Sequence, residues 1–153
     1  MSDVSYRLAT AADIEPLVKL RLDFLAENGH DFSSIRTLPD DIRAYCLQAM
    51  SKGEFVVAVA EIGGAIIGVA GIIYDRRPPK VTNPKGINAY ILNVYVVPPC
   101  RRKGIATALV QILVVHAQQS GCKSASLHAL PGGREVYAKI GFKPVENEMR
   151  RDF

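Results

Sequence analysis

The sequence predicts an α/β fold: one mixed sheet with helices on both faces. Three observations carry that expectation. Two apolar, β-branched runs flank Gly63-Gly64, which signals a hairpin. A strong strand at Ala89–Val97 stops at Pro98-Pro99 and is followed by a long proline-free helical stretch. The order of elements is strand, two helices, three strands, helix, strand, helix, strand, with no repeat or low-complexity segment. At 153 residues the chain can bury one sizeable core. One domain is expected over residues 4–153.

Taken in order, Tyr6–Ala9 reads as a short strand. Thr10 is a helix N-cap with Asp13 three residues on, and Ile14, Leu17, Val18, Leu20, Leu22, Phe24 and Leu25 recur mainly at helical spacing. Pro16 lies in the first turn, where a proline is tolerated, and Asn28-Gly29 stops the helix. Pro39-Asp40-Asp41 opens a second helix that runs to about Ser51-Lys52-Gly53, burying Ile42, Tyr45, Cys46, Ala49 and Met50. Phe55–Ile62 and Ala65–Tyr74 form the hairpin; Gly68 and Gly71 inside it suggest a bulge or a close backbone approach. Asp75–Gly86, with Pro78, Pro79 and Pro84, reads as a mobile loop bounding a site. A helix from Gly104 to about Ser120, a strand at Ser124–Ala129, a helix at Arg134–Ile140 and a final extended strand complete the chain.

Composition excludes several classes. Hydrophobic residues make up 48% and charged residues 22%, a globular balance. No stretch approaches the ~20 apolar residues of a membrane span. Met1-Ser2-Asp3-Val4-Ser5 lacks the basic start and apolar run of a secretory leader, so a cytoplasmic protein is expected. Three cysteines, Cys46, Cys100 and Cys122, are too few and too scattered for a disulfide framework or a structural metal site. Cys100, beside Arg101 and Arg102, is the one whose thiolate would be favoured. The net charge of +4 fits an anionic ligand. No aromatic-interleaved basic motif accompanies it, so no nucleic-acid partner is expected.

The informative junction lies between the strand ending at Val97 and the helix beginning near Lys103. A helix start presents backbone N–H groups without partners, and its dipole favours an anion. Gly104 lets a phosphate approach the backbone, Ala106 keeps the next turn small, and Arg101, Arg102 and Lys103 add positive charge. That is an anion site of pyrophosphate size. The same residues also fit a helix start with a solvated basic cap. Neither a Walker A pattern nor a three-glycine dinucleotide fingerprint is present.

The run Val94–Ala106 resembles the central Arg/Gln-x-x-Gly-x-Gly/Ala motif of the GNAT superfamily of N-acetyltransferases, through Arg101, Gly104 and Ala106. About 35 residues later, Tyr137-Ala138-Lys139-Ile140-Gly141-Phe142 resembles its Tyr-x-x-x-Gly-Phe signature. Tyr6–Asp13 resembles its first strand and helix cap. The resemblance covers nearly the whole chain in the right order. It implies a mixed, mostly antiparallel sheet splayed between its fourth and fifth strands, with acetyl-CoA wedged into the fork and no metal. Val94, Tyr95 and Val96 would meet the pantetheine arm, pairing through Val94 and Val96. Arg101, Arg102, Lys103, Gly104, Ile105, Ala106 and Thr107 would hold the pyrophosphate.

The resemblance further implies direct attack of an amine on the acetyl thioester, with Tyr137 as general acid for the departing thiolate and a backbone N–H near Val94 for the developing oxyanion. Some relatives carry a strand-borne glutamate as base. Ala89–Val97 has no carboxylate, so that role cannot be carried over. His128, at the end of the fifth strand, could accept the proton, while Asn93 and Tyr90 could orient an amine or a water. His116 lies on a largely apolar helix and is expected to be packed; His30 is uninformative. The acceptor could be a small-molecule amine or a peptide amine, with its pocket shaped by the first two helices and the Asp75–Gly86 loop. Asp23, Glu27, Asp31, Asp40 and Asp41 give that region some negative charge. The alternative is a non-catalytic acyl-CoA-binding regulatory module of the same fold. A homodimer is compatible with an exposed sheet edge.

Overall fold

In the computed structural model, which describes residues 3–153, the strands are β1 (Ser5–Leu8), β2 (Phe55–Ile62), β3 (Ala65–Arg76), β4 (Ile87–Val96) and β5 (Ala125–Leu127). The helices are α1 (Ile14–Glu27), α2 (Leu38–Ser51), α3 (Ile105–Gln119) and α4 (Arg134–Lys139). Met1 and Ser2, the start of the segment read as lacking a leader, lie outside the described residues. The strands lie side by side in the order β1-β2-β3-β4-β5; all neighbours are antiparallel except the parallel β4–β5 pair. This is the mixed, mostly antiparallel sheet that the resemblance implies.

Strand alternation sends side chains to two opposite layers. One core joins Ala58, Ala60, Ala70, Ile72, Ala89 and Ile91 of the sheet to Ile105, Leu109, Val110, Leu113 and Ala117 of α3. The other joins Val57, Val59, Val69 and Tyr95 to Ile14, Leu17, Val18 and Leu20 of α1 and Cys46 and Ala49 of α2. Helices therefore cover both faces. Tyr45, expected to be buried on α2, is exposed and reaches the core only through its ring, 5.4 Å from that of Phe55.

The α1 entry is built as the sequence suggests. Thr10 and Asp13 form a reciprocal capping box over one 3-10 turn. Arg7 of β1 grips the Asp13 carboxylate at 2.8 and 2.9 Å and also binds Glu61 of β2, so the cap is tied to the sheet. The Gly68 expectation also holds: a Cβ there would lie 3.2 Å from Ile105 and 3.3 Å from Leu109, so its absence lets the start of α3 settle against β3.

The structure departs from the sequence expectations in three places. β3 and β4 are longer than expected, which leaves only residues 77–86 as the connecting loop. That loop is closed by an Arg77 N–H bond to Gly86 and a Lys80–Asn83 bridge. β5 spans three residues rather than six, so His128 lies one residue beyond it. No final strand follows α4; residues 143–153 have no regular structure, and Val145, Met149 and Phe153 are exposed. Pro144 removes a backbone donor, and a three-residue β5 offers little edge for another strand to pair with.

Candidate active site

The sheet opens where β4 changes course. β4 and β5 pair only from Ala89–Ala125 to Ile91–Leu127. Just beyond, Asn93 and Val94 together oppose Ala70 of β3, and Asn93 takes a left-handed φ of 54°. Two residues against one is a β-bulge, which bends a strand and increases its twist. From Leu92 to Val96 β4 runs on without a partner in β5. The fork implied by the resemblance is thus produced by a bulge at Asn93, and the same divergence ends β5 early.

The fork opens into a cleft of about 850 Å³. Its walls come from α1 (Arg21, Phe24, Glu27), β4 (Tyr90 to Val96), the α3 entry (Arg101, Arg102, Gly104 to Thr107), His128 and α4 (Tyr137). Every site residue expected from the sequence lines it except Lys103, which is exposed nearby. Neither α2 nor the 77–86 loop contributes, so the expectation that both shape the pocket is corrected: among these elements α1 alone does so. The cause is the β3–β4 hairpin, whose extension carries the loop to the far end of the strands.

At the α3 entry the first intrahelical bond runs from the Ala108 N–H to the Gly104 carbonyl at 3.0 Å. The N–H groups of Ile105, Ala106 and Thr107 therefore have no carbonyl within the helix to bond. Arg102 and Gly104 both adopt left-handed φ angles, 63° and 77°, curving the chain in the manner of anion-binding backbone concavities. A Cβ on Gly104 would meet no protein atom within 4 Å, so the space above it is open to a ligand. These features fit a bound pyrophosphate.

Arg101 is occupied elsewhere. Its Nε donates to the Val96 carbonyl at 2.7 Å, its Nη2 to Glu27 at 2.6 Å, and its guanidinium lies 5.3 Å from the Tyr95 ring centroid. The side chain fastens the end of β4 to the end of α1, which leaves Arg102 and Lys103 as the exposed cations beside the start of α3. The Val97 N–H bonds β3 at Ile67, so by alternation the backbone groups of Val96 face the open side. Of these the carbonyl is already taken by Arg101.

Tyr137 stands on α4 against Phe142, ring centroids 6.1 Å apart, and its phenol makes no hydrogen bond among the described residues. Burial pushes its pKa above the ordinary tyrosine value, so the phenol holds its proton at neutral pH. On the facing wall Tyr90 Oη lies 2.6 Å from His128 Nδ1, and His128 Nε2 lies 3.1 Å from Glu148. Burial, followed by the Glu148 charge, raises the Tyr90 pKa. The sequence could not have revealed Glu148, because it reaches His128 from the irregular tail. His116 bonds Tyr74 Oη at 2.6 Å and is packed as expected. Cys100 lines the cleft as a free thiol. Among the described residues, no group of His, Cys, Asp and Glu is placed to hold a metal ion, and no helix is long and apolar enough to cross a membrane.

A forked sheet with an open helix N-terminus at its mouth is the arrangement that the resemblance to the GNAT superfamily implies. The model of the Acetyltransferase (GNAT) family matches residues 21–142, and the chain belongs to that family. The crystal structure, with acetyl-CoA, of a predicted acetyltransferase from Clostridium acetobutylicum superposes with a TM-score of 0.90 at 31% identity, covering 98% of this chain and 96% of that one. A GCN5-related N-acetyltransferase from Ralstonia eutropha JMP134 gives 0.86 at 28% identity, over 98% of this chain and 99% of that one. Among curated proteins, a glucosamine 6-phosphate N-acetyltransferase of Trypanosoma brucei brucei is 30% identical over 89 residues, 58% of each chain. The chain thus spans less than two thirds of that relative's length.

Proposed function

We propose that this protein is an N-acetyltransferase that moves the acetyl group of acetyl-CoA to a primary amine by direct attack. The observation that carries this reading is the open, glycine-floored start of α3 at the mouth of the fork. Its likeness to a fold neighbour crystallised with acetyl-CoA supports it. Acetyl-CoA supplies an activated acyl thioester. The N–H groups of Ile105 to Thr107 hold the pyrophosphate, assisted by Arg102 and Lys103. The backbone of Val94 and the Val96 N–H pair with the pantetheine arm, and the bulge at Asn93-Val94 turns an N–H toward the developing oxyanion.

The acceptor amine attacks the thioester carbonyl carbon, forming the C–N bond as the C–S bond breaks. The Tyr137 phenol delivers its proton to the departing sulfur. The amine proton leaves through Tyr90 Oη and His128 toward Glu148 and solvent, along contacts of 2.6 and 3.1 Å. A cytoplasmic enzyme acting on a small-molecule or peptide amine fits these features.

Calorimetric titration with acetyl-CoA, beside Gly104→Glu, tests the reading. The wild-type protein binds, and the added carboxylate, placed where the phosphates approach, weakens binding at least about a hundredfold. No binding by the folded wild-type protein would sink the proposal.

A further inference from the structure

The buried stripe of α1 contains Ile14, Leu17 and Val18 and continues to Phe24, whose ring packs edge-on against Tyr95 at 6.1 Å. A helical period places position 21 on that same stripe. There the chain carries an arginine. Arg21 is half-buried, its guanidinium 5.6 Å from the Phe24 ring centroid, and it lines the cleft.

Arginines on α2 and at the α3 entry find carboxylates: Arg43 with Glu15 and Asp40, Arg101 with Glu27. Among the described residues none reaches Arg21, and burial disfavours its charged form. A desolvated cation without a counterion is costly unless something arrives to pair with it. Arg21 lies six residues, about 9 Å of helix rise, from Glu27, which Arg101 ties to the cofactor end of the cleft. It therefore faces a different part of the cleft from the α3 entry.

Building on the acetyltransferase reading, we infer that the acceptor is an amine that also carries an anionic group, phosphate or carboxylate. Arg21 binds the anion through its forked donors. The Phe24 ring forms the apolar wall beside Arg21. Arg21 is thus a specificity-determining residue.

The test begins by titrating wild-type, Arg21→Met and Arg21→Lys with acetyl-CoA. Each protein, saturated with CoA, is then titrated with two pairs of amines, glucosamine 6-phosphate against glucosamine and L-alanine against L-alaninamide. The pairs separate phosphate from carboxylate. In at least one pair the anionic member binds the wild-type protein ten- to a hundredfold more tightly. The gap closes in Arg21→Met and partly returns in Arg21→Lys, while acetyl-CoA affinity stays within twofold. Arg21→Gln takes the place of Arg21→Met if that variant does not fold. No gap in either pair, or a gap that survives removal of the guanidinium, overturns the inference. A wild-type protein that binds no acetyl-CoA fails at the first titration, and that result overturns the acetyltransferase reading itself.

Discussion

At the scale of single residues, Tyr137 and Arg101 show how much depends on the direction a side chain takes. Tyr137 is half-buried, without a hydrogen-bond partner among the described residues, and held in its protonated form by burial. If it is the general acid, Tyr137→Phe lowers kcat about a hundredfold and leaves acetyl-CoA affinity unchanged. An unchanged kcat would remove it from the mechanism. Because burial raises its pKa, loss of the Tyr137 proton does not set an alkaline limb at or below pH 10 in the pH–rate profile. Arg101 fits the phosphate motif in sequence, yet in the fold it joins Val96 and Glu27. The sequence identifies the residue, but no local pattern reveals that its guanidinium turns back toward β4.

Among elements, the decisive junction is between β3 and α3. Gly68 is not in the cleft, yet the space where its Cβ would lie is closed by Ile105, Leu109 and Val96 at 3.2 to 3.4 Å. Gly68→Val would press on the first turn of α3, whose N–H groups face the cleft. Overpacking of this kind costs about 1–3 kcal/mol, so thermal unfolding should show a Tm lower by several degrees. The Kd for acetyl-CoA should rise as well, although no cofactor contact is removed. A lowered Tm with unchanged Kd would show that α3 does not transmit the strain. The glycine was legible in the sequence as a close approach, whereas the helix it accommodates was not, because β3 and α3 are far apart along the chain.

Across the whole molecule, the Arg7–Asp13–Glu61 cluster connects β1, the α1 cap and β2. Arg7, and secondarily the Thr10 N–H, holds the Asp13 carboxyl at about 2. Its folded value is depressed, so its contribution to stability is complete above the ordinary aspartate range near 4 and is lost as pH falls toward 2. Discounted for the exposure of Arg7, that contribution is about 1–2 kcal/mol. Denaturant titrations should find Asp13→Asn less stable than wild type by this amount at pH 7, with the difference vanishing near pH 2. A difference that persisted to pH 2 would place the effect in packing rather than charge.

The sequence by itself determined the element order, the hairpin at Gly63-Gly64, the Thr10–Asp13 cap and the glycine-bearing start of α3. These depend on neighbours within a few residues: backbone freedom, capping and apolar period act locally. Tertiary structure alone decided where β5 ends, because pairing stops where the Asn93 bulge turns β4 away. It also decided that residues 143–153 form no strand, that Glu148 meets His128, and that Arg21 faces a cleft instead of solvent. Each of these joins segments distant along the chain, and their meeting is set by sheet register and packing, which no local pattern encodes.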